Sequence, residues 1–280
     1  MEIYRVCRSF DEWQTFAQQN PQIFSAEETQ RLLGAIRKEG LVEPFTLRRY
    51  PPHEVIVKGE NYRETIRAGG LISRHRALLK VCEHLSAIQS SQLLKRQTRI
   101  YAPEALTDFA LYMRSSFPKF IGSEYAENPG EIADLFPIKA ENLLALSYPS
   151  DVFDVVFSND VFEHVPDVDK ALSEISRILV PCGLLISTFP FLYRRESGLV
   201  KARLVDGALQ FLMDPEYHGN PMRPDEGSLV FELPGWNILH RARSSGFADS
   251  YMAFISSDGN GILGAEINGV FVFVATKRGD

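Results

Sequence analysis

Two histidines in this 280-residue chain stand in settings that could put an imidazole to work. His164 directly follows Glu163 in the run Asp160-Val161-Phe162-Glu163-His164-Val165, and His218 lies in Asp214-Pro215-Glu216-Tyr217-His218-Gly219-Asn220-Pro221. An imidazole with an ordinary pKa of about 6.5 can take or return a proton near neutrality, which makes both candidates for a general base. His164 can equally be a packing histidine, and His218 can equally hold its loop by bonding backbone. Glu124 closes the apolar run from Lys119, and a carboxylate at the end of a strand can accept hydrogen bonds from two neighbouring hydroxyls of a ligand. Arg194, Arg195, Lys201 and Arg203 precede His218 and read either as a draw for a phosphorylated or carboxylated molecule or as a solvated loop face. The trio Arg74, His75 and Arg76 divides the same way, between a surface turn and an anion grip. Cys7, Cys82 and Cys182 are far apart and form no C-x-x-C pair, so neither a zinc ribbon nor a redox dithiol is written, and no metal is implied.

These residues need a scaffold, and the composition supplies one. With 45% hydrophobic and 24% charged residues the chain is too apolar to stay disordered, and its length allows one large domain with an extension. A net charge of −6 disfavours a nucleic-acid partner. No apolar run of signal length follows the acidic start, and none approaches the length of a membrane span. The expectation is a cytoplasmic protein with no membrane partner; its oligomeric state is left open.

Residues 1–97 read as a mainly helical region able to act as a lid. Ser9 with Glu12 and Ser25 with Glu28 each write a capping box, Gly40 ends the second helix, Glu54–Val57 is strand-like, and a helix is expected over Ser73–Ile88. Residues 98–280 form the main domain. Strands at Arg99–Ala102, Lys119–Ser123, Ile138–Ala140, Asp154–Ser158 and Leu184–Thr188 alternate with helical stretches, the pattern of a parallel sheet with crossovers. The clearest helix runs from about Val168 to Leu179, with Val168, Ala171, Leu172, Ile175 and Leu179 on one stripe. An insertion over 191–230 follows, then a helix near Gly235–Ser245. The strands Ala248–Ile255 and Gly269–Thr276 are expected to close the sheet as a hairpin, and the glycine-rich stretch between them reads as a mobile loop or the cover of a site.

The segment Phe153–Pro190 holds four ordered elements: Phe153-Asp154-Val155-Val156, Asp160-Val161-Phe162-Glu163-His164-Val165, Glu174-Ile175-Ser176-Arg177-Ile178-Leu179 and Pro181-Cys182-Gly183-Leu184. It resembles the class I S-adenosylmethionine-dependent methyltransferases of type 11-like sequence. Where that family carries a glycine-rich turn after the first strand, this chain has Tyr101-Ala102-Pro103-Glu104-Ala105-Leu106-Thr107, which resembles a subfamily with an acidic, non-glycine first motif. The resemblance implies an α/β, doubly wound Rossmann-like sheet and S-adenosylmethionine as cofactor. It places Tyr101, Ala102 and Glu104 at the methionine end, and Glu124 at the ribose with Tyr125 after it. Glu141, Asn142 and Leu143 fall at the adenine, with Asn159, Asp160 and Phe162 in the crevice. His218 or His164 then serves the acceptor, a small molecule or glycan. Asn159 and Asp160 can also cap the helix that follows. The alternative is a catalytically inactive scaffold or partner subunit that has lost cofactor binding.

Overall fold

The helix starts follow their sequence signals. In the computed structural model, which describes residues 2–88 and 93–279, β1 (Glu2–Cys7) leads into α1 (Phe10–Gln19) and α2 (Ala26–Glu39). The Ser9 and Ser25 hydroxyls accept from the amides of Glu12 and Glu28, each satisfying an orphan donor of a first turn. Gly40 stops α2 at φ 76°, a left-handed conformation that glycine adopts without a Cβ clash. After α3 (Ser73–Ile88) come β2 (Ile100–Ala102), α4 (Asp108–Ser116), β3 (Phe120–Glu124), α5 (Pro129–Leu135), β4 (Lys139–Ala140) and β5 (Phe153–Asn159). Then follow α6 (Val168–Ile178), β6 (Leu179–Thr188), α7 (Ile238–Ser244), β7 (Phe247–Ser257) and β8 (Val270–Lys277). The chain divides into two compact units, 1–95 with 251–273 and 96–250 with 274–280.

In the second unit the strands run in the order β6-β5-β2-β3-β4, all parallel, and the end of β8 continues the sheet beside β6. The chain enters at β2, builds outward through β3 and β4, then crosses back to lay β5 on the other side. That reversal leaves a crevice at the carboxyl ends of β2 and β5, the place where open α/β sheets bind ligands. The helix α6 buries Ala171, Leu172, Ile175 and Ile178 completely, the leucine and isoleucines each contributing about 1.5–3 kcal/mol. The 191–230 insertion carries short antiparallel pairs, Ala202–Val205 with Ala208–Phe211 and Tyr217–His218 with Ser228–Leu229.

In the first unit β1 pairs antiparallel with β7, from Glu2 opposite Ser257 to Cys7 opposite Met252, and β8 lies on the other side of β7 as the closing hairpin. A core of Leu32, Leu33, Ile36, Leu41, Tyr50, Ile66, Ala68 and Leu263 holds it. Two expectations are corrected here. Arg76 is neither a surface residue nor an anion grip: it is fully buried, and its guanidinium donates to the carbonyls of Ile66, Leu71, Asn260 and Gly261 at 2.7–2.9 Å. The glycine-rich 258–269 segment is a packed part of the unit, because Ile262 and Leu263 are fully buried and Ser73 both donates to and accepts from the Leu263 backbone. Among the described residues no helix is long and apolar enough to cross a membrane.

Candidate active site

The turn after β2 is built without glycine and is held by acids. Tyr101, expected with the turn at the methionine end, has its side chain in the core: it is fully buried, its hydroxyl lies 2.8 Å from Ser123 Oγ, and its ring packs against Tyr148 and Phe153. Ala102 is buried beside it. Glu104, 3% exposed, accepts from the Asn159 backbone at 3.0 Å and the Asn159 amide at 2.6 Å through Oε1, and from the Thr107 hydroxyl at 3.0 Å through Oε2. It therefore ties the carboxyl ends of β2 and β5 together, and Thr107 in turn caps α4 by accepting from Ala110. Asn159 is part of this brace, with Thr188 donating to its Oδ1 at 3.3 Å, rather than the cap of a helix.

Glu124, at the end of β3, reaches across to the same turn. Its Oε1 accepts from the amides of Ala105 at 2.7 Å and Leu106 at 2.9 Å, while Oε2 has no protein partner among the described residues. Burial pushes this carboxyl above its ordinary value, with the two amides acting in the opposite direction. The turn can lie this close because β3 carries Gly122, where an added Cβ would stand 3.0 Å from Ala105 Cα. Tyr125 is 54% exposed.

The loop after β4 is also self-braced. Glu141 accepts from the Ser147 amide at 2.9 Å and from the Ser147 hydroxyl, so its carboxylate is committed within the loop, and its own amide donates to the Glu124 carbonyl. Asn142 is exposed, and its Oδ1 accepts from Leu144 at 2.9 Å in an Asx turn; Leu143 is buried. Arg177 on α6 donates to the carbonyls of Leu146 and Tyr148 and pairs with Glu174, which accepts from the Leu146 amide.

Beyond β5, Asp160 sits at φ 54°, fixed by its amide donating to the Thr188 carbonyl and by the Thr188 hydroxyl donating to Oδ1. Phe162 is buried with its ring edge-on to Phe189. The next residue, Glu163, was not singled out in the sequence, yet it is fully buried and neither of its oxygens has a partner within 3.5 Å among the described residues. Both candidate histidines face it: His164 Nε2 and His218 Nδ1 each lie 3.7 Å from Glu163 Oε1, with the two rings edge-on at 5.3 Å. Burial pushes the Glu163 carboxyl up, His218 opposing and Asp160 reinforcing. His218 is pushed up to about 9, chiefly by Glu163 and then by Glu216, so at neutral pH it is protonated and cannot itself take up a proton as a free base. Of the four insertion cations, Lys201 pairs with Glu216, Arg203 donates to Gln210 and Arg194 lies over the Tyr193 ring. The E-H dipeptide marked part of this cluster in the sequence, but the 53 residues between His164 and His218 hid the rest.

Residues 108–187 match the model of the family described as methyltransferase domain. The chain is similar to an uncharacterized methyltransferase of Mycolicibacterium paratuberculosis, 28% identical over 153 residues that span 50% of this chain and 58% of that protein. It is also similar to one of Mycobacterium leprae, 26% identical over 50% of this chain and 55% of the relative. Among solved structures it is similar to an S-adenosylmethionine-dependent methyltransferase of Mesorhizobium loti, with 16% identity, a TM-score of 0.41, and coverage of 69% of this chain and 96% of the other. A Burkholderia thailandensis N1-methyltransferase with bound S-adenosylhomocysteine gives 16% identity and a TM-score of 0.39 over 72% and 78%. Over residues 108–187 the chain is thus similar to the methyltransferase domain family, and it spans little more than half the length of the curated methyltransferases that it matches.

Proposed function

We propose that the second unit binds S-adenosylmethionine in the crevice at the carboxyl ends of β2 and β5 and transfers its methyl group to a small-molecule or glycan-type acceptor. The observation that carries this reading is Glu124, a partly buried carboxylate whose Oε1 is occupied by the first turn and whose Oε2 is left for the ribose hydroxyls. The exposed Asn142 amide can donate to an adenine ring nitrogen, and the backbone of the Ala102–Glu104 turn floors the methionine end. The cofactor supplies an electrophilic sulfonium methyl. Positive charge disappears in such an in-line transfer, so alignment supplies most of the help and no oxyanion hole is needed. Asp160 and Phe162 stand where they would wall the crevice, and Glu163 and His164, next in the chain, with His218 beside them, would face the acceptor.

Thermal unfolding with S-adenosylhomocysteine tests the reading. At about 100 times its dissociation constant the ligand adds about 2.7 kcal/mol, which moves a midpoint by roughly 5–10 °C in a domain of this size. An unchanged midpoint at millimolar ligand would instead favour the inactive scaffold.

A further inference from the structure

We propose that Glu163, His164 and His218 form a binding site for one divalent transition-metal ion. Each offers a donor atom, and the three lie within 4.8 Å of one another. Glu163 is the unusual member. A fully buried carboxylate with no partner within 3.5 Å among the described residues is costly unless a positive group compensates it, and two imidazoles stand 3.7 Å from its Oε1.

The outer shell gives the second, independent argument. His164 Nδ1 lies 2.9 Å from the Leu229 carbonyl, which can only accept, so Nδ1 carries the proton and the Nε2 lone pair faces Glu163. His218 Nε2 lies 3.0 Å from Glu216 Oε1, and donation there turns Nδ1 toward the same oxygen. Glu216 is itself anchored by Lys201. One imidazole donating to a carbonyl and the other to a carboxylate, with the remaining nitrogens convergent, is the arrangement that orients histidines toward a metal. Two donors about 2.1 Å from an ion at a tetrahedral angle stand about 3.4 Å apart, so the 3.7 Å separations need to close by only a few tenths of an ångström. Two imidazoles and one carboxylate suit zinc, iron, cobalt or nickel better than calcium, and leave positions open for water or an oxygen donor of an acceptor. The site stands on these contacts whether or not the crevice binds a nucleoside.

The full chain, stripped with a chelator and free of cofactor, is titrated with cobalt(II) while visible absorption and calorimetry are followed. One ion per chain is expected, with the strong visible bands of low-coordinate cobalt, displaced by zinc and accompanied by a rise in the unfolding midpoint. His218→Ala and Glu163→Gln should abolish the bands, and Glu216→Gln, acting through the His218 ring, should weaken binding about 10–100-fold. His53→Ala, an exposed histidine in the other unit, should change nothing. A wild-type chain that takes up no cobalt or zinc overturns the proposal, and this needs no variant to fold. Stoichiometric binding that survives His218→Ala in a folded variant overturns it as well. Because S-adenosylhomocysteine is absent throughout, failure here leaves the methyl-transfer reading intact, and failure of that reading leaves the metal result standing.

Discussion

Replacing Glu124 by glutamine separates the two roles proposed for its carboxylate. Glutamine retains an oxygen for the Ala105 and Leu106 amides, which now sit 2.7 and 2.9 Å from Oε1, so the first turn keeps its anchor. What goes is a charge that the fold disfavours, since burial raises this carboxyl. A group whose folded pKa is raised contributes stability below its unfolded pKa and loses it as pH rises through the folded pKa. At neutral pH ionised Glu124 therefore costs stability, and Glu124→Gln should leave the unfolding midpoint unchanged or higher. Ligand binding should move the opposite way. A hydrogen bond to a charged acceptor is worth about 1.5–3 kcal/mol against about 0.5–1.5 for a neutral one, so losing the charge across two ribose hydroxyls costs about 2–3 kcal/mol. That corresponds to about 30- to 150-fold in the dissociation constant. Calorimetric titration with S-adenosylhomocysteine, run beside thermal unfolding, reads both quantities. Wild-type affinity should also weaken as pH falls through the raised carboxyl pKa, while the variant stays flat over that range. A Glu124→Gln protein of unchanged stability that binds within about threefold of wild type would refute the reasoning, because a purely structural glutamate predicts that result.

Other sites give sharper tests of the scaffold. Arg177 holds the Glu174 carboxyl below its ordinary range, so this pair stabilises the protein above the unfolded carboxyl pKa and stops doing so as pH falls through the folded one. Urea midpoints of wild type and Glu174→Gln should differ by about 1 kcal/mol near neutrality and converge below about pH 4; a constant gap would count against the pair. Arg76→Met removes the guanidinium donor from four carbonyls, of which Leu71 keeps the Ala68 amide, and should cost about 3 kcal/mol or more in the first unit, read from denaturant unfolding. Gly122→Ala sets a methyl 3.0 Å from Ala105 Cα and 3.1 Å from its Cβ, and should cost about 1–3 kcal/mol and weaken cofactor binding. Adding Ala105→Gly should recover part of that loss, and strictly additive effects in the double-mutant cycle would exclude the contact.

Local signals were legible and distant ones were not. Ser9, Ser25 and Gly40 act within four residues of themselves, and the caps and the stop stand where the sequence puts them. The helix Ser73–Ile88 and the five parallel strands also follow from period and punctuation. The strand Glu2–Cys7 carries no such mark, because its reason for existing is β7, some 250 residues later. Arg76 misled for a related cause: charge reads as solvent exposure until four carbonyls from three separate segments converge on it. In the site, Glu124 was locatable as the last residue of a strand, but its bonds to the amides of Ala105 and Leu106 depend on the pairing of β2 with β3. Glu163 was hidden by type, since nothing in an E-H dipeptide says that the acid lies wholly inside.

The missing glycines of the first turn bear on how such a crevice can be rebuilt. A glycine-rich turn lets backbone approach a ligand by removing side chains from the turn itself. Here the small residue has moved to the neighbouring strand: Gly122 opens the space that Ala105 occupies, so the turn sinks toward β3 and its bulk points into the sheet. Two amides of the turn, those of Ala105 and Leu106, donate to Glu124, while Glu104 of the turn itself accepts from Asn159 of β5 and from the Thr107 hydroxyl. Glu124 spends only one oxygen on this turn.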